Sequence, residues 1–305
     1  MRIFFNYLLL IVIALIWGSQ FILIKTALTS FPPLTVATLR AVTGAVGLSL
    51  LLFLLPKKST AEKKSRNLKN LIYIFCISLF EVTLPFILIS WGQQHTTTSI
   101  AAILISTIPI FTIIFLTLFF KHEALNLGKY LSVIIGFLAV LILLIPNAIH
   151  SIAIGQNNFL AELAILAGAA SFAISLLMIR RILDDNVIIL VRNILWCGSI
   201  QLLPLAIIFN YPWTLQPSLT AILAVVILGV IASGFVYILY TILVKRAGAA
   251  FTSLNNYFIP LVGVALGIVI MHEYIAWNVY ITFVVLMLAM LVNELKFSRI
   301  IGESK

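Results

Sequence analysis

Charge is what this chain has least of. Only 9% of its residues are Asp, Glu, Lys or Arg, against about a quarter in an ordinary soluble domain. With 63% hydrophobic residues and a mean hydropathy of +1.20, that shortage excludes a water-soluble globular domain. Cysteine is nearly absent too. Cys76 and Cys197 both fall in apolar stretches, so there is no disulfide framework and no CxxC metal spacing. The four histidines are never paired within one helix turn. The segments His122-Glu123-Ala124-Leu125-Asn126 and His272-Glu273-Tyr274-Ile275-Ala276 lack the second histidine of a zinc-protease helix. Neither a nucleophile-elbow Gly-x-Ser-x-Gly nor a phosphate-binding Walker loop occurs. An intramembrane enzyme, a direct ATP-driven pump, a metal and a cofactor are therefore not expected. A channel would need a filter of repeated carbonyls or a ring of charge, and none is visible. The first apolar window runs from near Phe4 to Ile24 without a small-residue cleavage site, so it reads as a retained helix.

What the chain has in excess is apolar windows long enough to cross a bilayer. Ten are counted, at about 5–24, 34–55, 69–91, 97–120, 127–145, 159–180, 187–208, 218–243, 249–271 and 275–293. With the N-terminus inside, 16 of the 19 basic residues fall in inner loops, and the outer loops hold essentially none. That bias sets orientation and predicts cytoplasmic termini. It also accounts for the net charge of +10 without nucleic acid.

One stretch occurs twice. Thr107-Ile108-Pro109-Ile110 leads to His122-Glu123, and Phe258-Ile259-Pro260-Leu261 leads to His272-Glu273. The two prolines are 151 positions apart, the two glutamates 150, and Arg40 and Arg192 152. A repeat of half the chain is a copied bundle. Five helices per copy is an odd number, so the second copy is inverted, as in many secondary transporters. The expectation is an all-α membrane protein of ten transmembrane helices in two inverted five-helix repeats. Residues 1–146 form the first repeat, 147–158 an outer linker, 159–295 the second repeat and 296–305 a cytoplasmic tail.

Polar residues inside the windows mark the candidate site. Glu81 lies halfway along its window, on a stripe with Ser78 and Pro85. A carboxylate at that depth costs at least about 2.5 kcal/mol on insertion scales. It is a titrating or substrate-pairing group in a cavity, a carboxyl kept neutral in the bilayer, or half of a structural pair. Gln20 shares a helical face with Trp17 and should face the bundle interior, because lipid offers it no partner. Tyr237 and Tyr240 share a face with Ser233 and Thr241, while Asn255, Asn256 and Tyr257 form a polar patch in the ninth window. Trp91 is a further aromatic candidate. Trp17, Gln20, Glu81, Trp91, Tyr237, Tyr240, Asn255, Asn256 and Tyr257 are thus the expected cavity residues. Lys25, Arg40 and Glu81 are candidates for coupling or gating, with snorkelling to the outer headgroups as the alternative for Lys25 and Arg40. The two His-Glu pairs read as helix-end structural elements.

At these residues the chain resembles the EamA family of the drug/metabolite transporter superfamily. Trp17-Gly18-Ser19 with Lys25, Leu39-Arg40, Pro109 with Glu123 and Pro260 with Glu273 carry the resemblance over roughly 10–295. The second half departs from it at Ala167-Gly168, where no tryptophan stands. The resemblance implies ten helices, a central cavity between the halves, and export or exchange of a small metabolite in the cell (inner) membrane. An amino acid-like or an amphipathic, drug-like solute would suit such a cavity. The partners expected are that solute, the lipid bilayer and protons, for a monomer or homodimer. An uncoupled facilitator or channel is the alternative, with an intramembrane enzyme a distant third.

Overall fold

The computed structural model describes residues 2–54, 68–119, 127–154, 158–179, 187–252 and 254–294. The His122-Glu123 pair, the basic inner loops around 57–66, 121 and 180–181, and the tail 296–305 lie outside the described residues. Among the described residues there are ten helices and no strand. Helix α1 is Arg2–Ala27 and α2 is Pro33–Leu54. Helix α3 is Leu68–Ser78, continued through a π-helical turn, Leu79–Thr83, into Leu84–His95. Helix α4 comprises Thr98–Ile105 and Ile108–Phe119. Helix α5 is Leu127–Ile154, α6 is Asn158–Ile179 and α7 is Val187–Asn210. Helix α8 is Leu219–Val230, a second π turn Ile231–Phe235, and Val236–Ala247. Helix α9 comprises Ala249–Thr252 and Asn255–Val269, and α10 is Trp277–Glu294. Eight of these spans are long and apolar enough to cross a membrane, and α9 and α10 are shorter apolar helices.

The outer surface agrees with that reading. Ile134, Phe137, Leu138 and Ile145 on α5, and Ile200, Ile207, Ile208 and Phe209 on α7, are exposed. Water would not tolerate so much contiguous apolar surface, whereas lipid does. The helices satisfy their own backbone groups, as the hydrocarbon requires. The protein is an integral membrane protein.

Two boundaries differ from expectation. Helix α5 does not end at Pro146 but runs on to Ile154, so most of the expected linker is helical. Proline restricts its own nitrogen and the residue before it, and no glycine interrupts Ala148 to Ile154. Helix α4, in contrast, breaks at Ser106-Thr107, just before Pro109. There the side chains take up the backbone acceptors: Ser106 Oγ donates to Ile103 O at 2.6 Å and Thr107 Oγ1 to Leu104 O at 2.6 Å.

The packing is two-fold in plan. Helix α2 lies on α7, α4 on α9 and α5 on α10, each being a helix against its repeat partner. The crosswise pairs α3–α6 and α8–α1 are equivalents under the same exchange. At the end where α1 finishes, Ser30 meets Ser218 (3.1 Å) and Thr35 Oγ1 donates to Asn210 Oδ1 (3.3 Å), tying the α1–α2 connection to the α7–α8 connection.

Candidate functional site

The site begins with a backbone contact. A Cβ on Gly229 of α8 would lie 1.8 Å from Thr43 Oγ1 and 2.7 Å from Arg40 O on α2. Only glycine permits that approach. It brings Arg40 within reach of Ser233, one turn further along α8. Arg40 Nε donates to Ser233 Oγ at 2.7 Å, and a terminal nitrogen donates to Gln20 Oε1 at 2.9 Å. The guanidinium carbon sits 3.9 Å from the centre of the Phe86 ring, a cation–π arrangement. Arg40 is 5% exposed. It does not snorkel to the headgroups: two side-chain acceptors and an aromatic face hold it inside the bundle.

The two π turns begin at positions 79 and 231, 152 apart, the offset that relates Arg40 to Arg192. Each π turn inserts a residue into its helix and turns the following side chains; such bulges often sit at functional sites. On α3 the cause is legible. Leu84 N donates to Leu79 O, the five-residue spacing of a π turn. Pro85 follows and has no N–H to continue it. In that register the unserved carbonyl is Phe80 O, which accepts instead from Ser171 Oγ at 2.9 Å. Glu81 and Ser233 therefore occupy corresponding positions of the two repeats.

Glu81 is held from the other half of the molecule. Its Oε1 accepts from the Tyr237 hydroxyl at 2.9 Å, and its Oε2 accepts from Ser175 Oγ. Arg40 and Glu81 carry opposite formal charges, yet both groups make their hydrogen bonds elsewhere. Trp17 closes the cluster, its ring 5.8 Å from that of Tyr237 and 5.4 Å from that of Tyr240. Trp17, Gln20, Arg40, Glu81, Tyr237 and Tyr240 are thus together in the structure. Arg40 and Ser233 are buried, while Trp17, Gln20, Glu81, Tyr237 and Tyr240 are half-buried.

The remaining expected residues make other contacts. Trp91 packs edge-on to His95, with ring centres 5.3 Å apart, near the end of α3. Asn255 is buried and its Nδ2 donates to Thr252 O at 3.3 Å, while the adjacent Asn256 is exposed. One helical step of about 100° separates the two side chains. Tyr257 donates to Met290 O at 2.5 Å and so packs on α10. Lys25 Nζ donates to Gln93 O at 2.7 Å and Thr96 O at 2.8 Å, closing the C-terminal end of α3. Glu273 caps α4: its carboxylate accepts from Thr98 N, Ser99 N and Ser99 Oγ.

Sequence reasoning missed Ser175 as the partner of Glu81. The only trace was Ser171 and Ser175 sharing a helical face. It also missed Glu162, a carboxylate inside an apolar window and so marked by the same anomaly as Glu81. Among the described residues no three His, Cys, Asp or Glu side chains converge as metal ligands.

The EamA-like transporter family model matches residues 4–145 and 159–294. The chain belongs to the EamA-like transporter family. It is 26% identical over 296 residues to the "Uncharacterized transporter YoaV" of Bacillus subtilis, covering 95% of this chain and 97% of that one. It is 27% identical over 255 residues to the "Uncharacterized inner membrane transporter YedA" of Escherichia coli K12, covering 83% and 78%. A solved crystal structure shares the fold at 14% identity, with a TM-score of 0.62 over 94% of this chain and 97% of its own. In this EamA-like chain the matched segments are the two five-helix halves, and the cluster around Glu81 draws on both.

Proposed function

We propose that this EamA-like protein is a secondary transporter in the cell's inner membrane, with both termini cytoplasmic. It exports or exchanges a small amino acid-like or amphipathic metabolite by alternating access. Glu81 couples that movement to protons. The observation that carries the proposal is the pair Arg40 and Glu81, residues of opposite formal charge within apolar spans. Each is hydrogen-bonded to the opposite half rather than to the other charge. A solute with a polar head can exchange with those bonds, while Trp17 and the tyrosines offer amphipathic faces to its body.

The repeat supplies the second state. Arg192 is the counterpart of Arg40, and Glu81 is the counterpart of Ser233. Here Arg192 donates to Asn193 Oδ1, at 3.1 Å from Nε and 2.9 Å from a terminal nitrogen. When the halves exchange conformations, Arg192 takes the place at Glu81 that Arg40 holds at Ser233. Such exchange between inverted repeats is how one site opens alternately to two sides.

The test is a metabolite-wide screen in proteoliposomes with and without a pH gradient, repeated with Glu81→Gln. Glutamine keeps the shape and can accept from Tyr237 but does not titrate. The expected variant is folded and transports down a substrate gradient without responding to pH. A Glu81→Gln variant that responds to pH gradients like the wild type removes Glu81 from coupling. Wild-type transport that ignores every pH gradient identifies an uncoupled facilitator.

A further inference from the structure

A second site lies at the end of the bundle where α1 and α5 finish and α6 begins. A cavity of about 360 Å³ opens there, lined among others by Lys25, His95, Thr97, Asn147, Asn158 and Glu162. Its volume is within the range of small-molecule sites, about 300–1,000 Å³. None of these residues belongs to the Glu81 cluster.

Glu162 is the residue that demands an explanation. It is 1% exposed. Its Oε1 accepts from Asn147 Nδ2 at 2.5 Å, and Asn147 Oδ1 in turn accepts from Asn278 Nδ2 at 3.3 Å. Its Oε2 is buried and has no partner. A buried acceptor left unpaired costs about 1–3 kcal/mol, and more when it is charged. The Asn278–Asn147–Glu162 chain holds the carboxyl in one orientation and leaves Oε2 unpaired. Lys25 lines the same cavity. Two of its three ammonium hydrogens are committed to Gln93 O and Thr96 O, and the third is available to an oxygen.

We infer that this cavity binds a small solute carrying one primary ammonium and a neighbouring oxygen acceptor. The ammonium donates to Glu162 Oε2 and the acceptor takes the remaining Lys25 hydrogen. Lys25 in the wall opposes a second positive charge, which disfavours diamines. A quaternary ammonium has no N–H to give Oε2 and leaves it unpaired. The site is separate from Glu81, and its occupancy is a binding event independent of whether transport is proton-coupled.

Equilibrium binding of radiolabelled ethanolamine to the purified full-length protein in detergent tests this. The wild type is expected to bind saturably, with ethanolamine competing and neither tetramethylammonium nor putrescine competing comparably. Glu162→Gln should weaken binding at least about tenfold. Gln94 is exposed and also lines the cavity. Gln94→Trp should fill its mouth and weaken binding without touching Glu162, which keeps the test open if Glu162→Gln fails to fold. No saturable binding by the wild type overturns the inference. So does loss of binding in Glu81→Gln with retention in Glu162→Gln, which would place the amine in the central cluster. Competition by tetramethylammonium equal to that by ethanolamine overturns the hydrogen-bonding argument.

Discussion

Replacing Glu273 by Gln removes one acceptor from a point where three donors converge. One carboxylate oxygen accepts from Thr98 N at 2.5 Å; the other accepts from Ser99 N at 2.9 Å and Ser99 Oγ at 2.6 Å. These are the first amides of α4, at the positive end of its helix dipole. A glutamine can offer its oxygen to one backbone N–H only. Its NH2 group then faces the other N–H, donor against donor, and the Ser99 hydroxyl alone can rotate to adapt. Bonds to a charged group contribute about 1.5–3 kcal/mol each, and an orphaned buried N–H costs about 1–3 kcal/mol. The charge at the helix N-terminus adds about 0.3–1 kcal/mol. One bond survives and the effects overlap, so the expected loss is about 3–4 kcal/mol. At about 2–4 °C per kcal/mol for a chain of this order of size, the melting temperature should fall by about 10 °C. Intrinsic-fluorescence melting of detergent-purified protein measures it, with Glu273→Ala alongside. Gln and Ala should melt close together, both well below the wild type. Gly267 makes room for the cap: a Cβ there would lie 2.4 Å from Ser99 Oγ and 2.6 Å from Glu273 Oε2. Gly267→Ala should therefore destabilise, and by much less in a Glu273→Ala background. A Glu273→Gln protein that melts with the wild type refutes the capping argument.

Gly229→Ala should force α2 and α8 apart at the crossing that seats Arg40, costing at least about 1–3 kcal/mol and lowering the yield of monodisperse protein. Gly234→Ala, whose nearest neighbour would be Leu48 Cγ at 3.4 Å, should behave like the wild type in the same size-exclusion assay, and equal behaviour of the two variants would sink the close-contact reading. For topology, Ser218→Cys and Lys245→Cys are compared after both native cysteines are replaced. A membrane-impermeant maleimide on intact cells should label position 218 and spare 245; the reverse pattern inverts the proposed orientation.

Much of the architecture was readable in one dimension, because the bilayer imposes one-dimensional rules. Its thickness fixes span length, and loop charge favours one orientation. A chain duplicated at an offset of about 150 can be folded on paper into two halves. The same physics flagged Gln20, Glu81 and Tyr237: hydrocarbon offers polar groups no partner, so they turn inward. The missed details depend on which helix meets which, and at what rotation. Arg40 could be read as a coupling residue or as a headgroup anchor until Gly229 brought α8 against α2 and placed Ser233 beside it. Asn255 and Asn256 looked equivalent until the rotation of α9 buried one and exposed the other. Ser175 gained a role only because the π turn before Pro85 aims Glu81 toward α6 and α8. Hydrophobic periodicity reports that a face is buried, never what it is buried against. That partner is chosen by steric fit between distant helices, and it decided the contents of both candidate sites.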